Sequence, residues 1–123
     1  MKNNIFGFNQ KAIISFEQTK EINGKTVTQR LDVTDLLLLH WFSEHWNSSA
    51  HKSFIDGKVY MHVFYNDILY DFPILAMGKQ SLFRRFKKLA EFGILIHHTY
   101  IDPLRGSRSM YGIGEEFYRI IEE

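Results

Sequence analysis

Residues 78–114 constrain the fold of this chain more than any other stretch, reading GKQSLFRRFKKLAEFG, ILIHHTYI, DPLRGSR and SMYGIG in succession. In the first segment Leu82, Phe83, Phe86, Leu89 and Ala90 recur at three- and four-residue spacing, which makes one apolar helical stripe. Lys79, Gln80, Ser81, Arg84, Arg85, Lys87 and Lys88 fall on the remaining surface, so one face is core and the other is cationic and hydrogen-bonding. Phe92 followed by Gly93 suits a helix that ends in a left-handed glycine. The segments ILIHHTYI and SMYGIG read as two strands, with Arg105 and Arg108 at the tip between them.

Charge is distributed to match. The formal net charge is only +1, but residues 79–108 hold seven Lys or Arg against two acids, Glu91 and Asp102, a local +5. The other eight bases and twelve acids leave −4 on the rest of the chain. A local basic patch is the electrostatic footprint of polyanion binding, where a dispersed one would be an ordinary solvated face. With 123 residues, one core and one domain over residues 1–123 are expected.

Upstream, residues 13–31 contain Asn23-Gly24, the strongest short hairpin signal, and predict a hairpin that pairs Lys20 with Val27 and Phe16 with Leu31. A helix over residues 9–19 is the competing reading. Asp32 or Thr34 can cap a helix over residues 33–46, whose four successive leucines at 36–39 cannot all face one core. Asp56-Gly57 marks a second hairpin leading into KVYMHVFY. A short helix over residues 65–71 is stopped by Pro73, the basic helix starts at Lys79, and residues 115–121 predict a terminal helix. Helix, strand, short helix, turn, basic helix and two-strand wing, in that order, describe an α+β winged helix-turn-helix. An N-terminal extension or hairpin over residues 1–31 and a C-terminal helix are added to a core over residues 32–122.

The chain also resembles the N-terminal winged-helix domains of replication proteins from phages and mobile elements of Gram-positive bacteria, the replisome organisers and DnaD-like initiators. The resemblance rests on IFGFNQKAI, LDVTDLLLLHWF, GKVYMHVFYNDILYDFPIL and SLFRRFKKLAEFGIL with its closing YGIGEEF, of which the block around Arg84 and Arg85 is the most specific. It implies origin or duplex DNA binding, with a helicase-loading or oligomerising segment elsewhere. The chain departs from that pattern in a longer insert over residues 14–30. It also ends after the last helix, which makes it an excised domain or leaves recruitment to another chain.

As a recognition helix, the segment presents Gln80, Ser81 and Arg84 near its start, where side chains reach base edges in the major groove. Arg pairs bidentately with guanine and Gln with adenine. Arg85, Lys87 and Lys88 suit phosphates, which position a protein without reading sequence, and Lys79 belongs to the same DNA-binding set. Arg105 and Arg108, flanking Gly106, suit minor-groove or phosphate contact. The expected partner is therefore double-stranded DNA, with self-association or another replication protein beside it.

Other chemistries lack their residues. Cysteine is absent, which removes thiol chemistry and fits a reducing cytosol. No apolar run reaches the ~20 residues of a membrane span. Adjacent His97 and His98 on a strand point to opposite faces, and His40, Glu44 and His45 lack a third metal ligand. Neither a metal nor another cofactor is expected. No phosphate loop, Ser/His/Asp order or carboxylate pair stands out, and Asp32, Asp35, Asp67 and Asp71 read as caps and solvated faces, so no enzyme is expected. Three alternatives stay open. They are a transcriptional repressor, a protein-interaction winged helix using residues 36–39, Trp41 and Trp46, and single-strand binding through Phe92, Tyr100 and Tyr111.

Overall fold

The computed structural model describes residues 1–48, 51–104 and 106–121. It is a mixed α+β arrangement in which four α-helices accompany antiparallel sheets among those residues. Two short strands, β1 (Asn4–Ile5) and β2 (Phe8–Asn9), form a tight hairpin and lead into helix α1 (Gln10–Ile14). The Asn9 side chain starts α1 by accepting a hydrogen bond from the Ala12 N–H at 3.0 Å.

Strands β3 (Glu17–Ile22) and β4 (Lys25–Arg30) then pair in the register set by Asn23-Gly24, with Lys20 opposite Val27. Asn23 and Gly24 both take positive φ, 53° and 76°, which is the backbone of a two-residue turn matched to strand twist. The rival helix survives only as the five residues of α1.

Helix α2 (Val33–Ser48) is the axis of the core. Leu36, Leu38, Leu39, Trp41 and Phe42 are all buried, and only Leu37 of the leucine run is half-exposed. The run is apolar because elements surround α2 on several sides; no partner is needed to cover it. Strands β5 (Lys52–Ile55) and β6 (Lys58–His62) join through Asp56-Gly57, again at positive φ. Helix α3 (Tyr65–Asp71) ends before Pro73, and a 3₁₀ turn (Pro73–Leu75) connects it to α4 (Lys79–Glu91). The Trp41 indole N–H donates to Asp71 Oδ2 at 2.8 Å and ties α2 to α3.

Strands β7 (Leu95–Asp102) and β8 (Gly106–Ile113) complete a four-stranded antiparallel sheet of order β5-β6-β8-β7. Gly93 closes α4 at φ 77°, the left-handed ending that the sequence predicts. Its carbonyl runs so close to Gly114 that a Cβ there would sit 2.1 Å from the Gly93 oxygen. The predicted terminal helix is shorter than expected. Only Phe117–Arg119 forms a 3₁₀ turn, while Ile121 leaves it to bridge Phe8 in antiparallel fashion. The Asn9 N–H donates to the Ile120 carbonyl at 2.7 Å, so pairing with the N-terminal hairpin replaces helix at this end.

Candidate nucleic-acid interface

Helix α4 sorts its side chains into four directions. Leu82, Phe86 and Leu89 are fully buried and form the inner stripe. Phe83 packs edge-on against His97 at 6.0 Å between ring centroids, and His97 stacks on Tyr111 at 4.7 Å. This flank fixes α4 to the β7–β8 hairpin. Tyr111 is itself held from α3, because its hydroxyl lies 2.8 Å from that of Tyr65.

The opposite flank carries Arg85 and Lys88, and these face the start of α2. Arg85 Nη1 donates to both Asp32 oxygens, at 2.8 and 2.9 Å, and to Asp35 Oδ1 at 3.1 Å. Lys88 Nζ lies 2.6 Å from Asp35 Oδ2 and also donates to the Arg30 carbonyl at 3.1 Å. Asp32 and Asp35 cap α2 reciprocally, each side chain accepting the other's N–H at 2.9 Å. Asp32 is the cap that the sequence offers. Asp35 also caps, as expected of these acids, but it is completely buried and not on a solvated face.

Burial dominates Asp35 and raises its carboxyl above the ordinary value in spite of Lys88. Burial also pushes Asp32 up, but the hydrogen bonds from Arg85 and the Asp35 N–H prevail and its carboxyl is held below the ordinary value. Arg85 is held the more firmly protonated: burial works against its charge, and the two carboxylates overcome that penalty. Each buried charge therefore has a partner, which is the condition for tolerating it. The positive charge of Arg85 and Lys88 is matched inside the molecule.

The fourth direction is solvent. Gln80, Arg84 and Lys87 are exposed at helical spacing, and Lys79 is exposed at the first turn. Among the described residues no hydrogen bond or ion pair engages Lys79, Arg84 or Lys87. Glu91, the acid on the same stripe, is paired with Lys20 from β3. Ser81 is half-exposed. The free cationic stripe is therefore narrower than the sequence pattern, running Lys79, Gln80, Arg84, Lys87.

That stripe continues into the β7–β8 hairpin. A groove of about 400 Å³ between them is lined by Tyr65, Lys79, Gln80, Phe83, Thr99 and Ser109. A smaller recess of about 190 Å³ beside it brings Lys79 together with Asn66 and Arg108. Arg108 is half-exposed, and Arg105 lies outside the described residues.

The histidines fall as their alternation requires. His97 faces α4 and Tyr111, while His98 turns to the opposite face against Tyr60, 5.6 Å away. Burial, then the charges of His98 and Lys87, lower the pKa of His97. His40 pairs with Glu44 at 3.2 Å, and His45 stacks on Trp41 at 4.0 Å. Among the described residues no three His, Cys, Asp or Glu side chains gather as a metal site. No helix is long and apolar enough to cross a membrane among them. Two rings considered for stacking on single strands are occupied: Tyr111 is fully buried, and Phe92 packs edge-on against Phe16 at 5.8 Å. Tyr100 stays 43% exposed.

Sequence reasoning missed the Asp32–Asp35–Arg85–Lys88 network. Its signal is present, since Arg85 and Lys88 flank the apolar stripe at three-residue spacing and Asp-x-x-Asp precedes the leucine run. Comparison with family models, curated proteins and solved structures finds no match.

Proposed function

We propose that this chain is a winged helix-turn-helix that binds double-stranded DNA, with α4 as the recognition helix and β7–β8 as the wing. The observation that carries this reading is the solvent stripe of α4, where Lys79, Arg84 and Lys87 stand without acidic partners among the described residues, beside the groove to the hairpin. An intramolecular role would have matched these charges, as it does for Arg85 and Lys88. Gln80 and Arg84 are the base-edge readers in this reading; Lys79, Lys87 and Arg108 hold phosphates. Arg85 and Lys88 position the helix. No catalytic step is assigned.

Service in replication of a phage or mobile element, in the cytoplasm, follows from the family resemblance. The same surface would serve a repressor. The experiment is a salt titration of duplex affinity. Three phosphates neutralised by Lys79, Lys87 and Arg108 predict a slope of log affinity against log salt of about −3. A flat dependence would remove the DNA reading.

A further inference from the structure

The β7–β8 hairpin outruns its sheet. Strand β8 pairs with β6 only at Met61↔Tyr111 and His62↔Met110, whereas its ladder with β7 continues through Asp102↔Gly106. The distal part therefore stands clear of the other strands, and two large apolar side chains are exposed at its end. Leu104 is 94% exposed and Ile101 73% exposed, with Pro103 between them in sequence.

The tip is also shaped. Asp102 Oδ1 accepts the Leu104 N–H at 2.8 Å, which turns the carboxylate back onto the backbone and holds Leu104 outward. Alternation along β7 puts Ile101 on the same face as Thr99. Thr99 lines the groove shared with Lys79 and Gln80 of α4. A path thus runs from the cationic start of α4, along one face of the hairpin, toward the exposed Ile101 and Leu104, which stand beside Asp102 and Arg105 in the sequence.

A cationic approach that leads to exposed apolar side chains fits a target that is anionic at its edge and apolar within. A DNA groove has that character, with phosphates at the rim and stacked bases at the floor. We propose that Leu104 is a wedge that inserts from the minor groove between stacked base pairs and kinks the duplex at a flexible pyrimidine–purine step. This inference rests on the duplex-binding reading above, and gives the bound DNA a shape.

The test uses a duplex carrying 2-aminopurine at a central TA step and a donor–acceptor pair at its ends. The intact chain should raise 2-aminopurine emission several-fold and shorten the end-to-end distance by a kink of about 20–90°. Leu104→Ser should keep salt-dependent duplex binding and lose both signals, while Leu104→Met should retain them. Binding without unstacking or bending, or equal bending by Leu104→Ser, would overturn the wedge and leave the duplex reading standing. Loss of self-association in Leu104→Ser, with DNA distortion unchanged, would make the tip a contact between copies and also overturn it. Absence of any salt-dependent duplex binding by the intact chain would remove both readings together.

Discussion

Lys88 Nζ of the basic helix lies 2.6 Å from Oδ2 of Asp35, a carboxylate with no solvent exposure at the start of the central helix. This contact divides a run of like charges into two jobs. Lysine and arginine at positions 85 and 88 hold α4 against α2, and those at 79, 84 and 87 face out. Removing one member of a buried pair strands the other. Asp35→Ala should therefore cost about 3–5 kcal/mol in chemical denaturation. Asp35→Leu combined with Lys88→Met should recover most of that loss, because an apolar pair of similar volume needs no desolvated charge. A double variant as unstable as Asp35→Ala would show that the ion pair is not the relevant interaction.

Arg84 and Lys87 should behave oppositely in the same assay. Both are exposed and without partners among the described residues, so their alanine variants should stay within about 0.5 kcal/mol of the parent stability. In the proposed duplex-binding reading their effects fall on DNA affinity. Arg84→Ala should relax preference at one base position, and Lys87→Ala should weaken all sequences alike and reduce the salt slope by roughly 1. Site selection from a random duplex library separates the two outcomes. A uniform loss for Arg84→Ala would move it from base reader to phosphate contact.

His97 gives the pH dependence its sign. Its folded pKa is depressed by burial and by the nearby charges of His98 and Lys87, so the folded state holds it neutral while the unfolded chain protonates near 6.5. Stability from this group is present above pH 6.5 and is lost as pH falls from there toward the lower folded value. His62 is depressed as well, by burial and by the charges of His51 and Arg108, and adds loss of the same sign. The histidine contribution to melting temperature should therefore fall between pH 7 and pH 5, opposed by Asp35, whose raised carboxyl gains stability as pH falls. His97 Nε2 is buried without a hydrogen-bond partner among the described residues, so His97→Phe should blunt the drop without costing stability at pH 7.5. An unchanged pH profile in His97→Phe would assign the loss elsewhere.

Gly114 tests the junction between α4 and the sheet. A methyl group there meets the Gly93 carbonyl carbon at 2.8 Å and its oxygen at 2.1 Å, and backbone cannot swing aside as a side chain can. Gly114→Ala should cost about 1–3 kcal/mol, the range of an overpacked interior, read as a shifted denaturation midpoint. A neutral result would mean that the two segments separate readily.

Local signals made most elements legible. Asn23-Gly24 and Asp56-Gly57 fixed two hairpins and their registers, because few residue pairs accept two successive positive φ values. Gly93 fixed the end of α4 for the same reason. Phe6-Gly7 makes a third turn of that kind at φ 54° and 86°, and it was not legible, since an aromatic residue rarely takes that conformation. The last helix was misjudged because Ile121 pairs with Phe8, a tertiary contact that no local pattern announces. Within the basic helix the apolar stripe was readable from spacing. The split between Arg84 and Arg85 was not, because it depends on acids fifty residues upstream in the chain.

In the proposed function the solvent stripe of α4 binds duplex DNA while its flank holds the fold. The most direct measurement is fluorescence anisotropy of a labelled ~30 base-pair duplex, and of its single strand, at two salt concentrations. The intact chain is compared with Lys79→Ala/Arg84→Ala/Lys87→Ala, which leaves Asp32, Asp35, Arg85 and Lys88 untouched. Steeply salt-dependent duplex binding by the intact chain, lost in a triple variant of unchanged melting temperature, is the result predicted. Equal binding by the triple variant, or no binding of duplex by the intact chain, would contradict it.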